Sequence, residues 1–97
     1  MEGIDKRITF YLLMQDLQPN IKGFGYLEQA IRALIIEGRD KFPDDMDLWA
    51  YIAKRNQSTL GAVYRAVDYM CLKRRTNPSD LLNRCYLELK YSGVENG

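Results

Sequence analysis

Apolar side chains recur every three or four residues along most of the chain, and polar breaks divide this pattern into five segments. This spacing places apolar side chains on one face of a helix. No clear run alternates between apolar and polar residues as a half-buried strand would. The sequence therefore predicts a compact all-α domain of five helices, at about residues 4–17, 24–37, 48–55, 59–74 and 78–92.

The apolar stripes also predict the core. The first helix has so many apolar positions that we expect it to be largely buried, through Ile8, Phe10, Tyr11, Leu12, Leu13, Met14 and Leu17. The predicted inward faces of the other helices comprise Leu27, Ile31, Leu34, Ile35, Leu48, Trp49, Ile52, Ala53, Leu60, Val63, Tyr64, Val67, Met70, Cys71, Leu81, Leu82, Cys85 and Leu89.

Short polar residues, glycine and proline predict where the helices begin and end. Pro19 cannot continue the first helix, and Gly38 is placed for a left-handed cap after the second. Asp47 and Ser58 are the predicted N-caps of the third and fourth helices. The run TNPSD at 76–80 has the cap, proline and acid of a helix start. We expect the fifth helix to stop at Gly93 and residues 94–97 to fray.

Composition argues against catalysis. The chain has no histidine, which removes the usual proton-transfer group and any serine–histidine or cysteine–histidine pair. Its glycines do not form a phosphate-binding loop. Cys71 and Cys85 lack a CxxC partner or histidine for zinc, and reduced core thiols are favoured over a disulfide between two helices. We expect a non-enzymatic protein with no catalytic residue, cofactor, metal or small-molecule substrate.

The length and hydropathy predict one cytoplasmic domain. Ninety-seven residues can bury a single core. No apolar run approaches the roughly 18–20 residues that span a bilayer. The first residues mix acids into their apolar positions, unlike a secretory signal. We therefore expect one domain over 1–97 with no membrane partner.

Positive charge is concentrated in residues 48–75. Six of the fourteen basic residues lie there beside one acid, so the segment is net +5, whereas 1–47 sum to −3 and 76–97 to −1. A concentrated basic region in a near-neutral domain (+1 overall) is typical of a protein that binds nucleic acid.

The same segment fits a helix-turn-helix made by the third and fourth helices. Ala53 and Val63 are the small and the branched residue that such crossing helices bury. Gln57 stands where many of these turns have glycine. Other helical hairpins bury similar pairs, so the pattern leaves both interpretations open. If the motif is present, residues 59–74 are the recognition helix and lie in the major groove of double-stranded DNA.

The predicted DNA contacts are of three kinds. Arg65 can bind guanine through two hydrogen bonds. Ser58 and Thr59 can bind phosphates at the helix N-terminus. Basic side chains at the helix ends add attraction that is independent of sequence. The predicted DNA-binding residues are Lys54, Arg55, Ser58, Thr59, Gly61, Ala62, Arg65, Tyr69, Lys73 and Arg74.

Two runs, IKGFGYLEQAI at 21–31 and YIAKRNQSTLGAVYRAV at 51–67, resemble the C-terminal DNA-binding (effector) domain of the stage 0 sporulation protein A response regulators. The resemblance covers about residues 8–90 and implies an all-helical transcriptional regulator whose fourth helix recognises DNA. We expect no receiver domain within 1–97. The matching residues are Ile21, Lys22, Gly23, Tyr26, Leu27, Ala30, Ile31, Ile52, Ala53, Lys54, Thr59, Val63, Arg65 and Ala66, with Ser58 and Val67 as close replacements.

Several base-reading side chains of that family are replaced. Its arginine, its glutamate and its Arg-His pair are here Ala62, Tyr64 and Asp68-Tyr69. An acid repels phosphates, and exposed aromatic side chains suit protein contacts. The alternative is therefore a protein-interaction module that keeps the fold without sequence-specific DNA reading. A homodimer or another protein partner is open under both hypotheses.

Overall fold

The structure, a computed structural model, describes residues 2–96, except for the side chains of Glu2, Lys73 and residues 92–96. Its five α-helices are α1 (Glu2–Met14), α2 (Lys22–Glu37), α3 (Asp45–Arg55), α4 (Leu60–Cys71) and α5 (Pro78–Asn96). Short 3-10 turns occupy Arg39–Lys41 and Leu72–Arg74. Within 2–96 there is no strand, so the prediction of an all-α, five-helix fold is confirmed.

The central helix is α2, which packs against each of the other four helices. Its inner side chains Leu27, Ala30, Ile31 and Leu34 are fully buried. The radius of gyration, 12.5 Å, is that of a compact domain of this length. The predicted inner faces of α3 and α5 are confirmed, since every apolar residue assigned to them is buried.

The prediction that the first helix is largely buried was wrong. Ile8 and Leu12 are buried, but Phe10 and Met14 are 66% and 68% exposed and Leu13 is 44% exposed. The helix packs mainly against α2 and α5, which cover one face, so the wider apolar stripe stays in solvent. It also ends earlier than expected, at Met14.

Two predicted N-caps were also wrong by one to three residues. The cap of α3 is Asp44, whose carboxylate accepts from the N–H of Met46 at 2.9 Å, and not Asp47. The cap of α4 is Thr59, not Ser58, and Leu60 at the first position is 37% exposed instead of buried. In each case a neighbouring residue of equal capping chemistry holds the extended backbone that a cap needs.

Of the remaining predicted helix ends, two are confirmed and two differ from the structure. Gly38 has φ +92° and its N–H donates to Leu34 at 3.0 Å, as expected of a C-cap. Asn77 and Asp80 bond each other reciprocally at 2.9 Å, which confirms the start of α5. In contrast, α4 gives way to a 3-10 turn after Cys71, and α5 continues past Gly93 to Asn96.

Both cysteines are free thiols in the core, as predicted. Burial is the main cause that raises the pKa of the Cys71 thiol, and likewise that of Cys85, to about 11. Both thiols are therefore protonated at neutral pH. None of the helices in the described part of the chain is long and apolar enough to cross a membrane.

Candidate nucleic-acid interface

Four residues, 56–59, join α3 to α4. Gln57 adopts φ +54°, the left-handed conformation that glycine takes at lowest cost. The N–H of Asn56 donates to Ile52 at 3.1 Å, and that of Ser58 donates to Ala53 at 2.9 Å. These bonds close the end of α3 and set the direction in which α4 starts.

A pair of amide side chains holds this turn against α2. Asn56 donates to Gln29 at 2.8 Å, and Gln29 donates back to Asn56 at 3.3 Å. Asn56 also donates to the carbonyl of Ile52 at 2.7 Å. The sequence did not point to this pair, because no local spacing shows which faces of two distant segments oppose each other.

The two helices meet through small and branched side chains. Ala53 is 3% exposed and Val63 is fully buried, with Ile52 and Val67 beside them in the core. A second close approach lies behind α4, where a methyl group added to Gly23 of α2 would overlap the carbonyl group of Ala66. Packing against α2 and α3 thus fixes which face of α4 points outward.

The first turn of α4 differs from the prediction in one respect. Thr59 accepts from the N–H of Ala62 at 3.1 Å through its hydroxyl. Ser58 is half-buried, and its N–H is already bonded to Ala53, so it does not offer a free N–H for phosphate. The N–H groups of Leu60 and Gly61 in the first turn have no acceptor within the helix, so they can donate to an external one.

The outward face of α4 carries one exposed basic residue, Arg65. Gly61, Arg65 and Tyr69 are exposed at intervals of four residues, while Ala62 is half-buried. The guanidinium of Arg65 lies along α4 toward its N-terminus, because its Nη1 atom is 3.5 Å from where a methyl group on Gly61 would lie. The donors of Arg65 therefore sit beside the first turn of α4.

The other basic residues predicted to contact DNA lie at the end of α3 and after the end of α4. Lys54 and Arg55 are exposed at the end of α3. Arg55 stacks on Tyr51, 5.6 Å from the ring centroid, and donates to its hydroxyl at 3.2 Å. That hydroxyl donates to Glu37 at 3.0 Å. Arg55 therefore already has a hydrogen-bond partner within the protein, although its side chain is exposed.

At the far end of α4, Arg74 is half-buried and Arg75 is exposed with φ +53°. The side chain of Lys73 lies outside the described residues. Between the two basic groups lies α4, whose twelve residues make a helix roughly 18 Å long. Positive charge therefore flanks the exposed face of α4 at both ends, with Arg65 between them.

Asp68 lies on the same helix, half-buried, and its charge contributes to the raised pKa of Cys71. A carboxylate there opposes phosphates on its side of α4. The face can therefore attract a polyanion at its first turn and at its ends, and it disfavours one beside Asp68.

No cluster of three or more metal-ligating side chains occurs among the described residues. No family model matches the chain, and neither a curated protein nor a solved structure matches it.

Proposed function

We propose that this protein is a cytoplasmic, helix-turn-helix transcriptional regulator that binds double-stranded DNA with α4 in the major groove. The observation that carries the proposal is the α3–turn–α4 unit. It combines a left-handed Gln57, buried Ala53 and Val63, and an exposed α4 face with Arg65. That combination suits a helix held rigidly and presented to a groove.

The positions of the charges support different roles for different residues in DNA binding. Arg65 lies in the middle of α4 and its guanidinium reaches back to the first turn, where a recognition helix meets base edges. The N–H groups of Leu60 and Gly61 suit a phosphate oxygen. Lys54, Arg55 and Arg74, with Arg75, would supply attraction that does not depend on sequence.

We also propose that the domain is of the sporulation-regulator effector type. The support is the pair of sequence runs, at 21–31 and 51–67. Gly23, within the first run, lies against Ala66, within the second. A glycine at this place has a packing reason, because α2 and α4 approach too closely there for a side chain.

The test is fluorescence anisotropy with a labelled mixed-sequence duplex of about 20 base pairs. If Lys54, Arg55, Arg65, Arg74 and Arg75 all contact phosphates of this non-specific duplex, the slope of log K against log salt is about −4 to −5, so affinity falls several-hundred-fold between 50 and 200 mM salt. Arg65→Ala should weaken binding and reduce that slope by about one.

Arg84→Ala is the matched control, since Arg84 is an exposed arginine on α5 and its removal changes the net charge equally. It should retain most of the affinity. Absence of binding at 50 mM salt and tens of micromolar protein, or equal losses in both variants, would reject the proposal.

A second candidate function is a protein-interaction module. The observation that favours it is Tyr69, 61% exposed, next to Asp68 on the face that would read bases. In that case Tyr69→Ala abolishes a protein association and Arg65→Ala changes no DNA affinity.

A further inference from the structure

A groove of about 490 Å³ lies between the α1–α2 connection and the end of α4. Its floor includes Leu17 and Met70, which are 5% and 6% exposed. On its rim, Tyr69 and Leu72 are 61% and 67% exposed. An apolar ridge thus stands directly beside a groove with an apolar floor and polar side chains in its wall.

The groove also carries one charge of each sign. Asp16, exposed, and Arg74, half-buried, both line it. The ion pairs in the described part of the chain are Arg32–Asp5 and Arg39–Asp45, so neither Asp16 nor Arg74 has an ionic partner there. A surface with a ridge, a groove, an acid and a base can be complementary to itself.

We propose that a second copy of this chain occupies the groove, around a two-fold axis. The interface between identical copies in such a dimer uses the same patch twice. Leu72 and Tyr69 of each copy enter the groove of the other, and Asp16 of each copy faces Arg74 of the other. An all-acidic or all-basic partner would meet a like charge at one of these positions, whereas a second copy pairs both.

The size of the patch indicates a weak dimer. At roughly 200 Å² for a large side chain, the exposed fractions of Tyr69 and Leu72 leave on the order of 250 Å² per copy to be covered. Doubled for two copies, this is about 500 Å², well below the roughly 1,200 Å² at which stable interfaces begin, so the dimer forms only at high protein concentration. The inference goes beyond the DNA-binding proposal and does not depend on it, because the dimer is measured without DNA.

The first experiment is sedimentation velocity from about 5 to 500 µM protein, without DNA. The wild-type protein should move from monomer toward dimer over this range. Leu72→Ser should weaken dimerisation at least tenfold. Met14→Ser is the matched control, since Met14 is equally exposed (68%) but does not line the groove, and it should leave dimerisation unchanged.

The second experiment tests the predicted charge pairs between copies. Asp16→Lys and Arg74→Glu should each be monomeric alone, because each places like charges opposite one another. An equimolar mixture should form a heterodimer, in which both opposite-charge pairs are restored. A change that acts only within one copy would not be rescued by mixing.

Three results would overturn the proposal. They are a wild-type protein that is monomeric at 500 µM, an equal loss with Met14→Ser, and a mixture of the two charge variants that stays monomeric. Circular dichroism on each variant confirms that it is folded. Because Leu72 is exposed, its replacement by serine should not disturb the core.

Discussion

Gly23 shows how a single missing side chain fixes the position of α4. A methyl group there would lie 2.9 Å from the carbonyl carbon of Ala66 and 3.2 Å from the Cε of Met70. Backbone atoms cannot move aside as a flexible side chain can. The distance between α2 and α4, and so the placement of the face that carries Arg65, depends on this glycine.

Gly23→Ala should therefore destabilise the fold by about 2 kcal/mol, the usual cost of overfilling a packed core. The matched control is Gly25→Ala, in the same helix, where an added methyl group meets nothing within 4 Å. It should stabilise by up to about 1 kcal/mol, because alanine favours helix. Urea unfolding gives both values, and a Gly23 variant as stable as wild type would contradict the close packing.

The buried thiols predict a loss of stability at alkaline pH. Burial raises the pKa of Cys71 and Cys85 from 9.0 to about 11. Between these values the folded state keeps protons that the unfolded chain has lost, so the free energy of unfolding falls as pH rises from 9 to 11. The stabilisation is complete below pH 9 and amounts to on the order of 2 kcal/mol per thiol.

Thermal or urea unfolding at pH 8, 9, 10 and 11 measures this slope. The double variant Cys71→Ala, Cys85→Ala should lose most of it. The slope that remains above pH 10 belongs partly to Tyr11, whose pKa is also raised by burial and by its hydrogen bond to Glu88. An unchanged slope in the double variant would contradict the assignment to the thiols.

The helices α3 and α4 depend on local chemistry at their junction. Thr59 caps α4, and Gln57 turns the chain through a left-handed conformation. Asn56 then joins this turn to Gln29 of α2. Together these contacts set the angle at which α4 leaves the core.

Thr59→Ala should cost about 1 kcal/mol of stability, since the N–H of Ala62 loses its acceptor. Ser58→Ala is the neighbouring control and should cost less, because Ser58 does not hold the cap position. Chemical unfolding of the two variants separates them. The reverse order would restore Ser58 as the cap.

Helical periodicity predicted the number of helices and the buried faces of α3 and α5, because burial follows a spacing that the sequence carries directly. It failed for Phe10 and Met14 on α1, since spacing does not show how much of an apolar face neighbouring helices cover. It failed at the caps because Asp44 and Asp47, or Ser58 and Thr59, offer the same chemistry within three residues.

The candidate site was predictable only in part. The exposure of Arg65 and Tyr69 and the burial of Ala53 and Val63 follow from the same spacing. The bond between Asn56 and Gln29 does not, because it depends on the packing of segments far apart in the chain. The roles of the ten predicted DNA-binding residues stay predictions.

For the molecule as a whole, the arrangement of charge near α4 matters more than the total. The chain is close to neutral at +1, yet exposed Lys54 and Arg55 lie before α4 and exposed Arg75 follows it. A groove with an apolar floor adjoins the last turn of the same helix. We expect the first half of α4 to meet DNA and its last turn to meet a second copy.

The most direct test of DNA binding through α4 is an NMR titration of the ¹⁵N-labelled protein with a mixed-sequence duplex of about 20 base pairs at low salt. Non-specific complexes with Kd of roughly 10⁻⁴ to 10⁻⁶ M are readily detected in this way. The proposal predicts amide shifts concentrated in residues 54–65, from the end of α3 to the middle of α4, with α1 and α5 unchanged. A spectrum unaffected by excess duplex, or shifts centred on another helix, would contradict it.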